Sequence, residues 1–308
     1  MNIPERVTAP AKLNLFLHIV GRRGDGYHLL ESLCAFASLS DIVEVSDSEH
    51  FGLELDGPYS SLLPPNDTNN LAVAAARAFS DWDGRGKKAH IRLTKNIPVA
   101  AGLGGGSADA AAVLVALSKA WDRPDAPLAE IGLALGADVP VSIRSTPAFM
   151  AGIGEDLINF PHLPCAGLVL VNPGVGVETR AVFKAYDDAP QRAGSFSESM
   201  ASQFVPSHFG DGPATVGELA GLIDGCGNDL TSAACTFAPT IGDGLLALSE
   251  SSDCLVARMA GSGATCFGLY ENGAKAQKAA REIELSSANA GWWVWSGELS
   301  DSRRNAEV

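Results

Sequence analysis

In the segment Lys95-Asn-Ile-Pro-Val-Ala-Ala-Gly-Leu-Gly-Gly-Gly-Ser-Ala-Asp109, four of the five residues from Gly102 to Gly106 are glycine. Alternating apolar residues predict a strand over residues 90–95, and an alanine- and leucine-rich run predicts a helix from about Ser107 to Trp121. Glycines let backbone N–H groups turn toward a bulky anion, and a following helix adds free N–H groups and a favourable dipole. Because a tight turn needs only one glycine, the segment favours a phosphate site, to which Ser107 adds a hydroxyl.

Two common phosphate-binding motifs fit this segment poorly. A P-loop requires a lysine directly after the glycines, and none follows. The dinucleotide-binding fingerprint requires a third glycine where Ser107 stands. Asp122 lies at a suitable distance for a ribose contact, but its neighbours Arg123 and Pro124 are typical of a loop rather than a strand end. The segment therefore belongs to another class of phosphate-binding loop.

The loop resembles the Pro-x-x-x-Gly-Leu-Gly-x-Ser/Gly-Ser-Ala signature of the GHMP small-molecule kinases. Other segments resemble one branch of that family, and they occur in the family's order over about residues 9–270. Residues 187–217 and about the last 35 residues match nothing in it. The matching segments are Ala9-Pro-Ala-Lys-Leu-Asn-Leu-Phe-Leu17, Gly21-Arg-Arg-Gly-Asp-Gly-Tyr-His-Leu-Leu-Glu-Ser32, Pro98-Val-Ala-Ala-Gly-Leu-Gly-Gly-Gly-Ser-Ala108, Leu135-Gly-Ala-Asp-Val-Pro140, Asn172-Pro-Gly-Val175 with Phe183, Asn228-Asp-Leu230 and Gly261-Ser-Gly-Ala264.

The resemblance implies a fold and a reaction. The fold is the α+β two-domain GHMP kinase fold, with an N-terminal domain over residues 1–160 that carries the glycine-loop ATP site. A C-terminal ferredoxin-like domain covers residues 161–308, and the active site lies in the cleft between the domains. The reaction is ATP-dependent phosphorylation of the 2-hydroxyl of a CDP-linked methylerythritol, in the methylerythritol phosphate (non-mevalonate) route to isoprenoid precursors.

The resemblance also implies a catalytic pair, because Lys12 and Asp138 stand where the family has its active-site lysine and aspartate. Asp138 would accept the proton of the substrate hydroxyl. The ammonium of Lys12 would keep that carboxylate ionised and stabilise the transferred phosphoryl group. Taken alone, Asp138 is typical of a loop aspartate and Lys12 of a solvated strand face. The matching motif around Asp138 and the apolar neighbours of Lys12 favour catalysis.

Binding roles follow from the same resemblance. Asn14, on the same strand face as Lys12, would bind the polyol or its phosphates. Tyr27 and His28 match the family's cytidine-binding pair, and Phe183 matches the aromatic residue on the opposite face of the base. Without the resemblance, Tyr27 and Phe183 would be interpreted as core residues. The ATP phosphates would be held by Pro98, Val99, Ala100, Ala101, Gly102, Leu103, Gly104, Gly105, Gly106, Ser107 and Ala108.

Further expectations concern the adenine and the second glycine loop. Lys95, Asn96 and residues 63–66 would border the adenine pocket. Gly261-Ser-Gly263 resembles the family's third motif, although a plain β-turn between two strands has the same pattern. Asp109 adds an acid to the first helical turn, which suits the helix dipole but would repel phosphate if it faced inward.

Composition limits the possible partners. The formal net charge of −14 argues against a nucleic-acid surface or a basic membrane patch. Anionic substrates then require local positive groups, a helix N-terminus and Mg²⁺. The six histidines form no metal-ligand motif, so we expect no protein metal site and a Mg²⁺ ion carried mainly by the nucleotide phosphates. The cysteines are scattered without C-x-x-C spacing, and we find no signal or membrane-spanning segment in the sequence. These features predict a cytoplasmic protein. We expect it to be a monomer or a weak homodimer.

Hydrophobic patterns predict the remaining elements. Strands are expected over residues 7–20, 41–46, 51–55, 139–143, 166–171 and 291–296, helices over 70–79, 127–135 and 274–283, and a strand–glycine loop–strand unit over 255–270.

Three other functions compete with this interpretation. Another GHMP kinase, for homoserine, mevalonate or a sugar, would share the glycine loop without the other motifs. A non-catalytic nucleotide-binding protein of the same fold would lose the equivalents of Lys12 or Asp138, and both are present. An oxidoreductase of the dinucleotide-binding type fits least well.

Overall fold

The computed structural model describes residues 4–64, 69–189, 196–199, 211–286 and 291–300. The chain divides into two compact units, each built from separate segments. The first unit contains Met1–Lys12, Leu39–Val99 and Gly104–Ser145, and the second contains Leu13–Ser38, Ala100–Leu103 and Thr146–Val308. Two long strands, β1 (Glu5–Arg22) and β2 (His28–Ser48), pair with each other and have residues in both units.

In the first unit, β4 (Lys88–Thr94) and β3 (Gly52–Asp56) extend the sheet from the last part of β2. Strand β4 lies antiparallel to residues 42–48 of β2, and β3 lies parallel to β4. The predicted strands over 51–55 and 90–95 are therefore confirmed. The predicted strand over 41–46 exists, but it is only the last part of a 21-residue strand.

Four helices complete the first unit: α1 (Leu71–Asp83), α2 (Gly105–Ala120), α3 (Leu128–Leu135) and α4 (Val139–Arg144). Helix α1 begins at Asn70, whose side chain accepts the N–H of Ala72, and ends at Gly84 in the left-handed conformation. Alanines let α1 and α2 approach closely, and α2 is buried around most of its circumference. The shared core of the two helices includes Ala72, Ala75, Ala76, Phe79, Ala108, Ala111, Val113, Leu114 and Leu117.

The prediction of a strand over 139–143 is wrong, because these residues form α4. Pro140 stands in the first turn of this helix, where a missing N–H costs nothing and the fixed φ suits helix geometry. The alternation of Val139, Val141 and Ile143 was compatible with a strand, but Val139, Pro140 and Val141 are all buried. Asp138 therefore precedes a helix, and its backbone carbonyl accepts hydrogen bonds from the N–H and hydroxyl of Ser142.

The second unit contains two sets of paired strands. In one, residues 30–34 of β2 pair with β5 (Ala148–Gly152), and β5 pairs with β6 (Asp156–Asn159). The other is an antiparallel sheet in the order β10–β7–β9–β8. Its strands are β7 (Gly167–Asn172), β8 (Val256–Met259), β9 (Cys266–Tyr270) and β10 (Trp293–Glu298).

In the described residues of the second unit there are five helices: α5 (Thr179–Asp188), α6 (Val216–Asp224), α7 (Thr231–Phe237), α8 (Thr240–Glu250) and α9 (Gly273–Leu285). Helices α8 and α9 pack on the four-stranded sheet. Numbered along the chain, its strands lie in the order 4-1-3-2, with a helix before the second strand and another after the third. This is the ferredoxin-like arrangement, so the predicted fold of the C-terminal region is confirmed.

The core of the second unit is built by alternate residues of the sheet and by one face of helices α5, α7, α8 and α9. Val169 and Val171 of β7 meet Ile241 and Leu248 of α8 in this cluster. None of the helices in the described part of the chain combines the length and the hydropathy needed to cross a bilayer. The six cysteines all lie in described ranges and form no disulfide bond with one another, and Cys165 alone is exposed.

Candidate active site

The first unit brings Lys12 and Asp138 together. Lys12 is 4% exposed, and its ammonium donates a hydrogen bond to Asp138 Oδ1 at 2.7 Å. The Asp138 side chain is one-third exposed, at 34%, so part of this side chain is accessible from solvent. A buried ammonium beside a partly exposed carboxylate is an arrangement suited to proton transfer at a surface-accessible point.

The first half of the glycine loop lies in the second unit against residues 260–265. Gly102 has a φ of +77°, and a Cβ atom there would collide with the carbonyl oxygen of Gly263. Ala101 accepts a hydrogen bond from the N–H of Thr265 at 3.3 Å. Gly261-Ser-Gly263 is thus a loop between β8 and β9 that contacts the first glycine loop, which its sequence alone left open.

The second half of the glycine loop lies in the first unit and starts α2. Gly104 caps the helix with a φ of +65°, and its carbonyl accepts the N–H of Ala108, which is the first bond of the helix. The N–H groups of Gly105, Gly106 and Ser107 precede that bond, so they face the open end of the helix. A Cβ atom on Gly104 would lie 3.3 Å from Cβ of Lys12. The helix start thus lies beside the buried lysine.

Two glycines of this loop are expected to respond oppositely to substitution. Gly102→Ala combines a left-handed φ with a backbone collision, so we expect a loss of about 1–3 kcal/mol in the free energy of unfolding, with weaker ATP binding. A Cβ on Gly106 meets nothing within 4 Å, so Gly106→Ala should be neutral or stabilising by up to about 1 kcal/mol. Urea unfolding of the two variants measures this difference, and equal losses would contradict the assigned loop geometry.

A second ion cluster lies beneath the same helix start. Lys95 is 4% exposed and donates to Asp41, which is fully buried, and to Asp109 Oδ2 at 2.7 Å. Asp41 Oδ1 also accepts the backbone N–H groups of Asn96 at 2.6 Å and Ile97 at 2.8 Å. The cluster ties β2, the end of β4 and α2 together directly before the glycine loop.

Burial and charge act against each other within this cluster. Burial disfavours the charged form of Lys95, but the attraction of Asp109 and Asp41 outweighs it and raises the lysine pKa. Burial also raises the pKa of the Asp109 carboxyl to about 8, despite the attraction of Lys95. Sequence reasoning missed this cluster, although an acid placed in an otherwise apolar, alanine-rich helix was a signal for it.

The residues assigned to cytidine lie together in the second unit. The His28 and Phe183 rings stack at 4.9 Å between centroids, and Tyr27 is 61% exposed beneath the guanidinium of Arg23. The structure adds Asp187, which sequence reasoning did not select. Its Oδ1 lies 2.7 Å from Nε2 of His28. Phe183 thus covers one face of the histidine ring, while the Tyr27 side chain is mostly exposed to solvent.

The side chains of Asn14 and Asn228 both donate hydrogen bonds within the second unit. Asn14 Nδ2 donates to Ser32 Oγ at 2.7 Å, while its buried Oδ1 has no hydrogen-bond partner among the described residues. Asn228 Nδ2 donates to the carbonyls of Met259 and Gly261 at 2.9 and 2.7 Å. The Asn228 motif therefore fixes the second glycine loop rather than presenting its amide to solvent.

Other predicted positions have a more limited description. Pro98 and Val99 lie in the first unit and lead from the cluster toward the loop, and Ala100 is exposed with a φ of +57°. Of the segment expected to border the adenine, residues 65 and 66 lie outside the described residues. In the part of the chain that the structure describes, no group of three or more His, Cys, Asp and Glu side chains is placed to hold a metal ion.

Comparison with known proteins places these features in one class. Residues 70–146 match the GHMP kinases N terminal domain, and residues 243–287 match the GHMP kinases C terminal family. A homoserine kinase from Cytophaga hutchinsonii (16% identity, TM-score 0.68, covering 98% of this chain and 96% of that one) shares the fold. A mevalonate kinase from L. major also shares the fold, with 13% identity and a TM-score of 0.68, covering 98% of this chain and 97% of that one. Fold and glycine loop are thus those of the GHMP kinases.

Closer relatives narrow the class. A protein of Paramagnetospirillum magneticum named 4-diphosphocytidyl-2-C-methyl-D-erythritol kinase is 45% identical over 95% of this chain and 98% of its own length. A protein of the same name from Paracoccus denitrificans is 44% identical over 98% of this chain and 100% of its own length. A crystal structure of 4-(cytidine 5'-diphospho)-2C-methyl-D-erythritol kinase has 31% identity and a TM-score of 0.73, covering 96% of this chain and 99% of that one. The chain belongs to the 4-diphosphocytidyl-2-C-methyl-D-erythritol kinase family.

Proposed function

We propose that this protein transfers the γ-phosphate of ATP to the 2-hydroxyl of 4-diphosphocytidyl-2-C-methyl-D-erythritol. Membership of the family supports the reaction and both small-molecule substrates. The observation that carries the mechanism is the ion pair between buried Lys12 and partly exposed Asp138, at 2.7 Å. This reaction is a step of the methylerythritol phosphate pathway to isoprenoid precursors.

In the proposed mechanism, Asp138 is the base and Lys12 its electrostatic partner. The substrate hydroxyl oxygen forms a bond to the γ-phosphorus as the bond from that phosphorus to the bridging oxygen of ADP breaks. The hydroxyl proton passes to the Asp138 carboxylate, which Lys12 holds ionised and in a fixed orientation. The Lys12 ammonium also lowers the energy of the negative charge on the transferred group.

The start of α2 is the proposed site of the ATP phosphates. Its three leading N–H groups and its dipole favour an anion, and Gly104 and Gly106 leave room for one to approach the backbone. Mg²⁺ is proposed to arrive as the complex with ATP, because this ion dehydrates reluctantly and is commonly bound through substrate phosphates. A bound Mg²⁺ would offset phosphate charge, which matters in a chain with a net charge of −14.

The cytidine end of the substrate is assigned to Tyr27, His28 and Phe183, and the polyol end to Asn14. The exposed side chain of Tyr27 offers a stacking surface for the base. The buried Oδ1 of Asn14, which has no hydrogen-bond partner among the described residues, offers an acceptor. Asp187 holds His28 and also lies 3.4 Å from Arg22, so it fixes both sides of the turn that carries Tyr27.

Asp187→Ala is expected to raise the KM for the cytidine substrate about tenfold or more, with kcat and the KM for ATP nearly unchanged. A hydrogen bond to a charged partner contributes about 1.5–3 kcal/mol, and this one orders the cytidine-binding turn. Steady-state kinetics with each substrate varied in turn measures kcat and the two KM values separately. The exposed neighbour Asp188→Ala is the matched control. Equal effects of the two variants, or a fall in kcat alone, would argue against the role of Asp187.

Further properties belong to the same proposal. We place the domain boundary near residue 160, and we expect a monomer or weak homodimer that acts in the cytoplasm without nucleic-acid or membrane partners. Support comes from the net charge of −14 and from substrates that are small, charged and water-soluble.

Phosphorus NMR of the purified protein with ATP, Mg²⁺ and the CDP-linked substrate tests the function. A new phosphate monoester signal, formed as ATP is converted to ADP, is the expected result. Consumption of ATP only with homoserine, mevalonate or a sugar would leave the fold class in place and refute the cytidine substrate. No transfer to any alcohol while ATP still binds would favour a non-catalytic nucleotide-binding protein.

A further inference from the structure

The Asp41–Lys95–Asp109 cluster contains one ammonium and two carboxylates, so it carries a charge of −1 when all three groups are ionised. The side chains of Lys95 and Asp109 are each 4% exposed, and that of Asp41 is fully buried. A net charge enclosed in this way is costly, because water can solvate none of its members.

The two carboxylates are not equally satisfied. Asp41 accepts two backbone N–H groups on one oxygen and the Lys95 ammonium on the other. Asp109 accepts Lys95 on Oδ2, and its buried Oδ1 has no hydrogen-bond partner among the described residues. Asp109 is therefore the member whose charge is least compensated. The rise in its pKa to about 8, caused first by burial and also by the neighbouring Asp41, agrees with the geometry.

The cluster lies directly under the first residue of α2. A Cβ atom on Gly105 would lie 3.5 Å from Nζ of Lys95 and 3.7 Å from Oδ2 of Asp41. Nucleotide phosphates bound by the N–H groups at the start of α2 would therefore share this stretch of backbone with a buried cluster of the same net sign. Like charges repel one another more strongly in surroundings poorer in water than the bulk.

The other groups facing α2 offer little compensation. Helices α1, α3 and α4 pack on α2 and contribute apolar side chains to the shared core. Lys12 lies beside Gly104, but it is already paired with Asp138. The charged groups that act directly on the Asp109 carboxyl are Lys95 at the end of β4 and Asp41 on β2.

We propose that Asp109 is a positioning residue that takes up a proton when nucleotide phosphates bind at the start of α2, and releases it when they leave. The carboxylate gains one proton from solvent, the cluster becomes neutral, and Lys95 remains bound to Asp41. This inference rests on the proposed function, since it requires a nucleotide at the glycine loop.

Isothermal titration calorimetry with magnesium-free ADP tests the proposal, since the second phosphate pKa of about 6 leaves ADP ionised at pH 8. Titrations in two buffers of different ionisation enthalpy give the number of protons taken up. We expect an uptake of about half a proton at pH 8, where the Asp109 carboxyl is half ionised before binding. Asp109→Asn should show almost none. Asp81→Asn, which changes the same charge at an exposed position of α1, should behave like the unmodified protein.

The pH dependence of the ADP Kd provides a second measurement that needs no variant. We expect Kd to rise above pH 8, approaching about tenfold per pH unit, and to be flat in Asp109→Asn. ADP binding with no proton uptake, or uptake that persists in Asp109→Asn, would overturn this inference and leave the proposed function intact. A protein that binds ADP at no pH would overturn the proposed function, and this inference with it.

Discussion

Replacing Asp138 with asparagine is expected to lower kcat by about 10²- to 10⁴-fold, the usual contribution of a general base. Asparagine has nearly the same shape and can still accept the hydrogen bond from Lys12, but it cannot take up the hydroxyl proton. Nucleotide affinity should remain largely intact, because the ATP phosphates are assigned to the start of α2. Phosphorus NMR for turnover and calorimetry for ATP binding measure the two effects separately.

The matched control is Asp156→Asn, which removes an exposed carboxylate from β6. It should retain full turnover. If Asp138→Asn were as active as this control, Asp138 would not be the base. A loss of ATP binding together with turnover would assign Asp138 to nucleotide binding instead. The third possibility, a folding defect, is recognised by comparing the urea unfolding of the two variants.

The glycine loop could be predicted from sequence because its chemistry is local. Four glycines beside an alanine-rich helix indicate where a ligand can approach the backbone. The structure places Gly104 at the helix cap with a left-handed φ. The environment of Asp138 could be predicted only in part. The motif identified the residue, but the pattern of Val139, Val141 and Ile143 suggested a strand where a short helix forms. Six residues are too few to distinguish the two periodicities.

Contacts between distant residues were harder to anticipate. Lys95 meets Asp41 across 54 positions, and His28 meets Asp187 across 159. No local pattern encodes such pairs, so the sequence does not indicate Asp187 or Asp41 as site residues. It suggests Lys95 only as a neighbour of the adenine. Only Asp109 gave a signal, as a charged residue within an apolar helix. The topology of β7 to β10 was obtained from the family resemblance rather than from the strands themselves, since strand order depends on long-range pairing.

Lys95→Met is expected to lower the free energy of unfolding by about 3–5 kcal/mol near pH 7, because removing one partner of a buried ion cluster leaves the other charges uncompensated. Methionine fills a similar volume, so the loss arises from Asp41 and Asp109 rather than from a cavity. Asp41 keeps its two backbone hydrogen bonds, whereas Asp109 loses the partner of its Oδ2. Adding Asp109→Asn to Lys95→Met should therefore recover part of the loss, which a merely steric effect would not allow.

The loss of unfolding free energy caused by Lys95→Met should also depend on pH. The linkage between proton binding and folding gives the direction of that dependence. The Asp109 carboxyl already has a pKa of about 8 in the folded protein, and removing the Lys95 ammonium, which lowers that pKa, raises it further. The folded variant therefore keeps more protons than the folded unmodified protein as pH rises toward 8, so the deficit is smaller at pH 5 than at pH 8. Urea unfolding at both pH values measures this, with Lys88→Met, at the exposed first residue of β4, as the control. A deficit that matches Lys88→Met, or one that does not change with pH, would show that the cluster does not stabilise the fold through its charges.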